Sequence, residues 1–271
     1  VSNAYETAVF VIKHRRAPRF SKTGYLNDLL FNIRTFETDY VFRSFSADKD
    51  ISKLLIRGIE GEDLSVPTLA VLHHPDEVDS VSFPDNCIIK PTHMSGEVVF
   101  HETGAVSAKD RAKMRGWFTQ NFGILTGERH YQRLVPKIIV EPWLRLNGAY
   151  CNDYRFYVFQ GEVKVIEVKL RMSETDATQV MLLPDWSRLE GTTTYGGATH
   201  ALSGGDLEVE KPDCLDRMVD ISQNVGKYLD FVRVDFFSDA KDVFYVGEIS
   251  HISGGAREVF HPVEIERLFT K

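Results

Sequence analysis

Cysteine is scarce in this chain, with only Cys87, Cys151 and Cys214 among 271 residues. An odd number at wide spacing excludes a disulfide framework and paired-cysteine metal sites. A reducing, cytoplasmic setting is therefore expected. No apolar run approaches the roughly 20 residues a membrane helix needs, so no membrane insertion is expected. The first residues lack the charged-then-apolar pattern of a secretory leader. Positive charge is not in excess either: the formal net charge is −7. That argues against nucleic acid or an anionic bilayer as partner, since both reward a basic surface. One local basic cluster, Lys13, Arg15, Arg16 and Arg19, reads as a solvated face. The nine histidines show no metal-ligand spacing on one helix, and there is no Gly-Lys-Ser/Thr phosphate loop, serine elbow or Cys/His pair. Internal repeats and low-complexity tracts are also absent.

What is present is ordinary globular composition, 43% hydrophobic and 26% charged, in a length sufficient for one large domain or two to three small ones. Residues 5 to about 66 read as an N-terminal portion of its own, with amphipathic helices near Tyr25–Phe36 and Ile51–Ile59. Val66–Leu72 predicts a short strand. Cys87–Lys90, the loop Thr92–Gly96 and Val98–Phe100 predict a hairpin over a flexible tip. Ser107 with Asp110 signals the start of a helix carrying Met114, Trp117 and Phe118 on one face. Pro136–Leu144 reads as a buried strand stopped at Pro142, and Tyr154–Phe159 with Val163–Leu170 as a hairpin across Gln160-Gly161. Residues 172–210, rich in Thr, Gly and Ser, read as the least regular part, either a functional loop or disorder. Asp213 is expected to cap a helix bearing Leu215, Met218, Val219, Val225 and Leu229, before a final hairpin. The lack of a strict βαβ rhythm predicts an α+β fold with largely antiparallel sheet.

Three segments carry chemistry. Lys90 ends an apolar strand that would hold its ammonium rigidly, and Thr92, Ser95 and Gly96 after it offer hydroxyls and backbone N–H groups suited to a phosphate; His93 lies in the same loop. The alternative is a surface lysine before a polar turn. Arg233, Asp235 and Phe237 share one strand face, as do Glu248 and Ser250 on the partner strand. Because 248 − 235 = 13 is odd, both acids reach one side only through an even-length turn or a bulge. Paired carboxylates suit magnesium, and Arg233 beside them suits a transferring phosphoryl group; a solvated charged sheet face is the alternative. Glu141, followed by Pro142, Trp143 and Leu144, is either a purine-edge site with apolar walls or a strand end with a stray acid. Asp153 is placed to meet ribose hydroxyls, and Lys169 and Arg171 to reach phosphates.

The succession of these pieces resembles the ATP-grasp superfamily. The wording Ile89-Lys90-Pro91-Thr92-His93, Ile138-Ile139-Val140-Glu141, Asp153-Tyr154-Arg155-Phe156, Val232-Arg233-Val234-Asp235-Phe236 and Gly247-Glu248-Ile249 before Gly254-Gly255 is similar to the branch named for teichuronopeptide biosynthesis, over about residues 48–260. The resemblance implies two α+β subdomains clasping ATP, residues 67–143 and 144–271, after a short N-terminal region, 1–66. It implies Lys90, Thr92, His93, Ser95 and Gly96 at the phosphates, Glu141, Trp143 and Leu144 at adenine, and Asp153 at ribose. Asp235, Glu248 and Ser250 would bind Mg2+, and Arg233, Lys169 and Arg171 would assist phosphoryl transfer. Ser250 stands where many ATP-grasp enzymes carry asparagine, although a hydroxyl still ligates magnesium. The N-terminal region is short for a separate substrate domain, so acceptor recognition falls to residues 172–210 and Arg257. The implied activity is a carboxylate–amine ligase that makes an acyl phosphate from a small-molecule carboxylate. Its implied partners are an amino acid or peptide and a sugar or uronate of a cell-surface polysaccharide, with oligomeric state open. A kinase that phosphorylates a hydroxyl and a nucleotide-binding module without turnover are the rival readings.

Overall fold

A computed structural model describes residues 3–21, 24–37, 41–146, 149–171, 177–239 and 241–271, with the side chains of 146, 149, 150, 171 and 177 left outside the description. Helices α1 (Asn3–His14), α2 (Leu26–Phe36), α3 (Val41–Ala47) and α4 (Ile51–Glu60) come first. A four-stranded sheet follows, built from β1 (Ala70–Leu72), β2 (Cys87–Pro91), β3 (Val99–His101) and β4 (Ile138–Pro142) in the order β1-β4-β2-β3. Every pairing in it is antiparallel. Between its strands lie α5 (Glu77–Ser80), α6 (Ala108–Trp117) and α7 (Phe122–Thr126). The period-2 alternation of β2 and β4 separates two faces. Cys87, Ile89, Ile138 and Val140 pack with Met114 and Trp117 of α6. Lys90 and Glu141 project on the opposite side, where they meet as an ion pair. The predicted start of α6 is borne out, as the Ser107 side chain accepts from the Asp110 N–H.

After a short ribbon, β5 (Arg145–Leu146) and β6 (Ala149–Tyr150), comes a five-stranded antiparallel sheet. Its strands are β7 (Asn152–Phe159), β8 (Glu162–Arg171) and β9 (Ala177–Leu182), and, beyond β10 (Thr192–Tyr195) and β11 (Ala198–Ala201), β12 (Phe231–Ser238) and β13 (Phe244–Ser250), in the order β13-β12-β7-β8-β9. The β7–β8 hairpin turns at Gln160 and Gly161, both at positive φ (50° and 79°), the backbone that a tight two-residue turn demands. On one face of this sheet Phe156, Val168, Val234 and Phe236 pack against Met218, Ile221 and Val225 of α8 (Leu215–Gly226) and Ile56 of α4. The other face is divided along its length. At one end Tyr157, Phe159, Val165 and Phe231 pack with Leu26, Leu29 and Leu30 of α2 and with Phe260 and Phe269. At the other end the residues are Asp153, Arg155, Glu167, Lys169 and Asp235, held in register by direct cross-strand pairing.

Helices α2 and α4 are thus built into the two cores of the large sheet. Residues 64–66 also run beside β13: Val246 N–H donates to the Leu64 carbonyl at 2.8 Å, and Val66 N–H to that of Val246 at 3.3 Å. Leu69 N–H then donates to Val140 at 2.8 Å, so this stretch stitches the two sheets together and only Ala70–Leu72 is strand. Two expectations need correction. The segment 172–210 carries three strands where described: β9 extends the large sheet, and β10 and β11 form a hairpin that pairs with β14 (Val259–His261). Its threonines act as β-branched strand formers, while residues 172–176 lie outside the described residues. The helix after Asp213 begins one residue late, with Cys214 at its N-cap and no side-chain cap; Leu215 N–H donates instead to the Pro212 carbonyl.

Candidate active site

The two acids singled out in the sequence stand directly opposite each other. Asp235 pairs with Glu248, whereas Phe236 pairs with Val246, so the ladder carries a bulge with Gly247 as its extra residue. This resolves the odd spacing by the second of the two routes open to it. Glycine is required at 247, because a Cβ there would lie 2.5 Å from the Phe237 ring. Arg233 donates to both Asp235 oxygens, from Nε at 2.7 Å and Nη2 at 2.6 Å. It also donates to Ser253 Oγ at 2.8 Å and Ser250 Oγ at 3.2 Å. A planar guanidinium held by four contacts is a rigid, preoriented cation.

From the small sheet comes a second cation set. Glu141 is buried with one oxygen 2.6 Å from Lys90 Nζ and the other 2.6 Å from Lys53 Nζ. A buried carboxylate needs such partners, and here it fixes both ammonium groups. Lys49 Nζ lies 3.3 Å from Glu248 Oε1 and donates to the Met94 carbonyl at 2.6 Å. Lys49 therefore joins the small-sheet loop to the acid of the large sheet. Burial alone would raise the Glu248 carboxyl, but Lys49, Lys90 and Arg233 outweigh it and hold it below the ordinary range. Asp235 moves the other way, pushed up by burial against the pull of Arg233. Opposite shifts in two facing acids set distinct protonation behaviour within one site.

Two cavities meet here at Gly96. The smaller, about 300 Å³, has Ile88, Val98, Phe100, Trp143, Leu144 and Phe237 as apolar wall, with Lys49, Lys90, Glu141 and Glu248 at the polar side. Trp143 is further framed by Phe100, 5.0 Å between ring centroids, and by Arg145, 4.6 Å over the ring. This shape suits a flat heterocycle with an anionic tail. The larger cavity, about 740 Å³, begins at Arg233, Ser250, Ser95 and Gly96 and extends past Glu128 and Arg257.

The sequence-predicted residues divide accordingly. Lys90, Gly96, Glu141, Trp143, Leu144 and Glu248 line the smaller cavity, and Ser95, Arg233 and Ser250 the larger. Asp153 and Lys169 face each other across β7 and β8 in the charged end of the large sheet. Arg155 links that end together, donating to Glu167 at 3.2 Å and lying 3.8 Å from Asp235. Burial lowers the Lys169 ammonium, with Glu167 opposing. The Arg171 side chain lies outside the described residues. Thr92 and His93 line neither of these two cavities. Thr92 is fully buried, its hydroxyl donating to Asp48 at 3.3 Å, and His93 is 2% exposed with Nε2 at 3.0 Å from the Trp117 carbonyl. Their side chains anchor the loop from within, and only its tip, Ser95 and Gly96, is open.

Residues 31–270 match the family model described as TupA-like ATPgrasp. The chain belongs to the TupA-like ATP-grasp family. No curated protein matches it in sequence. Among solved structures it is similar to an L-amino acid ligase from Bacillus licheniformis, at 13% identity over 86% of this chain and 50% of that one (TM-score 0.48). It is also similar to a D-alanine–D-alanine ligase from Bacillus anthracis complexed with ATP, at 18% identity, 78% and 56% coverage and TM-score 0.40. A third is the ATP-grasp ligase PsnB complexed with minimal precursor, at 17%, 79%, 54% and 0.41. The chain spans about half the length of these solved proteins. The expected α+β ATP-grasp fold with largely antiparallel sheets is the one observed.

Within this ATP-grasp frame the donor set can be tested against magnesium. Among the described residues no three His, Cys, Asp or Glu side chains cluster as a metal site. Two facing carboxylates remain, which fits an ion carried on a nucleotide, since magnesium completes its shell with phosphate oxygens and water. Lys49, Lys53, Arg155 and Glu167 were missed by sequence reasoning as site residues. A signal existed for the lysines: they are four apart around the start of α4, one helical turn on the same side.

Proposed function

We propose that this chain is a Mg-ATP-dependent carboxylate–amine ligase that forms an amide through an acyl phosphate. The observation that carries this reading is the convergence of Lys90 and Lys49 with Asp235, Glu248 and Arg233 where an apolar slot opens into a second, larger cavity. Residues 67–143 would act as the smaller ATP-binding lobe and 144–271 as the catalytic lobe, with α2 and α4 of the N-terminal region, 1–66, packed onto the latter. Lys90, steadied by Glu141, would contact phosphates, with Gly96 and Ser95 at the loop tip. Trp143 and Leu144 would wall the base, and Asp153 would serve the ribose. Asp235 and Glu248, with Ser250 beside them, would hold Mg2+, which supplies charge neutralisation on the phosphates. Their present partners, Arg233 and Lys49, would exchange part of these contacts for the phosphates. Arg233 and Lys169 would then stabilise negative charge as the γ-phosphoryl group passes to a substrate carboxylate. Phosphate is a far better leaving group than hydroxide, so an amine attacks the acyl carbon and ADP and phosphate are released. The family likeness supports an amino acid or peptide as amine and a sugar or uronate of a cell-surface polysaccharide, or a related metabolite, as carboxylate. Free cysteines support a cytoplasmic setting.

Hydroxylamine trapping tests the reaction class. Purified protein with MgATP and a panel of uronates and amino acids should release ADP and phosphate and yield a hydroxamate. A phosphorylated hydroxyl without free phosphate would mean a kinase, and no turnover a binding module. Lys90→Ala should weaken nucleotide binding about tenfold or more, while Glu248→Ala should lower the rate more than the binding. Unchanged turnover in either variant would overturn the assignment.

A further inference from the structure

The larger cavity contains two charged groups, Glu128 and Arg257, that take no part in the phosphoryl-transfer assignments, although the family resemblance already set Arg257 at the acceptor. Most charges along its wall are already committed. Arg34 pairs with Glu6 at 3.0 Å and donates to the Gly255 carbonyl at 2.7 Å. Arg233 is held by Asp235, Ser250 and Ser253. Glu128 and Arg257 are different. The Glu128 carboxylate has no hydrogen-bond donor among the described residues, and its nearest ring nitrogen, His130 Nε2, is 3.9 Å away. The Arg257 Nε is buried with no hydrogen-bond partner, and its side chain makes no ion pair among the described residues. Arg257 Nε is thus a buried donor left unsatisfied, which costs stability, while the Glu128 side chain, 14% exposed, opens to the same cavity; an opposite pair facing one cavity and not bonded to each other offers both charges to a ligand.

We propose that Glu128 and Arg257 hold the two ends of a zwitterionic α-amino acid, the amine donor of the ligation, with Arg257 on its carboxylate and Glu128 on its ammonium as proton acceptor. The inference rests on the ligase reading and assigns residues within its second cavity. In the step concerned, Glu128 takes one proton from R–NH3+. The freed lone pair bonds to the acyl-phosphate carbon, the carbon–oxygen bond to phosphate breaks, and the second proton leaves with the phosphate as hydrogen phosphate. Burial raises the Glu128 carboxyl to about 7, opposed by Arg34 and Arg257 and reinforced by Glu6 and Glu248. That lies near the working range of a general base. The other groups around it do not compete for this proton. Burial and the nearby arginines push His130 down to about 3, and burial pushes the Tyr131 hydroxyl far up.

Calorimetric titration of the full chain with each of the twenty L-amino acids, their N-acetyl forms and their methyl esters tests this. At least one free amino acid should bind, and acetylation or esterification should each weaken it tenfold or more. Glu128→Gln should remove the penalty of acetylation and Arg257→Gln that of esterification, while both variants keep wild-type nucleotide binding and circular dichroism. No binding by any amino acid, or variants that discriminate as the wild type does, would overturn the proposal. Hydroxamate formation separates this from failure of the ligase reading. Hydroxylamine is largely uncharged at neutral pH and needs no base, so Glu128→Gln should lower amide formation at least tenfold more than hydroxamate formation. Equal loss of hydroxamate and amide would assign Glu128 a merely structural role and overturn its part.

Discussion

Glu128 shows how the burial of a single residue makes stability depend on pH. Its carboxyl is raised from an ordinary 4.5 to about 7, so the folded chain holds a proton there that the unfolded chain has already released. The sign follows directly: below about pH 4.5 both states are protonated and nothing is lost. As pH rises toward 7 the native state is progressively penalised, by about 3 kcal/mol at most above that. Glu128→Gln should therefore raise the melting temperature at pH 8 and leave it nearly unchanged at pH 4, as thermal unfolding at both values will show. An equal gain at both pH values would mean that the carboxylate charge is not responsible. Lys90 and Glu141 represent the opposite case. Each was legible in the sequence as a candidate, but their mutual contact was not, because it depends on the diagonal register of β2 against β4.

At the scale of the element, the bulge in the β12–β13 hairpin is what makes a paired-acid site. Without Gly247 as an extra residue, Glu248 would point to the apolar face with Phe236 and Val234. The Gly247→Ala variant would place a Cβ 2.5 Å from Phe237, whose ring is also a wall of the smaller cavity. It should cost about 1–3 kcal/mol in urea unfolding and weaken nucleotide binding in the same preparation. Wild-type affinity in that variant would show that the bulge does not shape the slot. The hairpins, the strand stop at Pro142 and the start of α6 could all be read from local patterns, since alternation and capping are short-range effects. The regularity of β10 and β11 could not, because a Thr- and Gly-rich stretch becomes strand only when β14 arrives to pair with it.

Helices that precede both sheets in the chain enter both cores of the large sheet. Leu26, Leu29 and Leu30 close one core of the large sheet, and Ile56 enters the other. The larger cavity draws on α1, α2, the turn after α7 and the end of β13 together. Leu30→Ala, at a side chain only 1% exposed, should destabilise the fold by about 2–5 kcal/mol. Tryptophan fluorescence and circular dichroism should report the loss in one transition if the helices and sheet melt as a unit. Independent melting of a helical fraction would contradict that coupling.

Local residue pattern alone determined the main hairpins, the start of α6, the α+β class and the candidates Lys90, Arg233, Asp235 and Glu248, because backbone preference and side-chain alternation act over a few residues. Tertiary structure decided which of those groups meet. It buried Thr92 and His93, brought in Lys49 and Lys53, and left Glu128 and Arg257 facing one cavity. Such outcomes depend on contacts between segments distant in sequence, such as Thr92 with Asp48, Lys53 with Glu141 and Lys49 with Glu248, and the energy of a buried charge is set by what the rest of the chain places beside it.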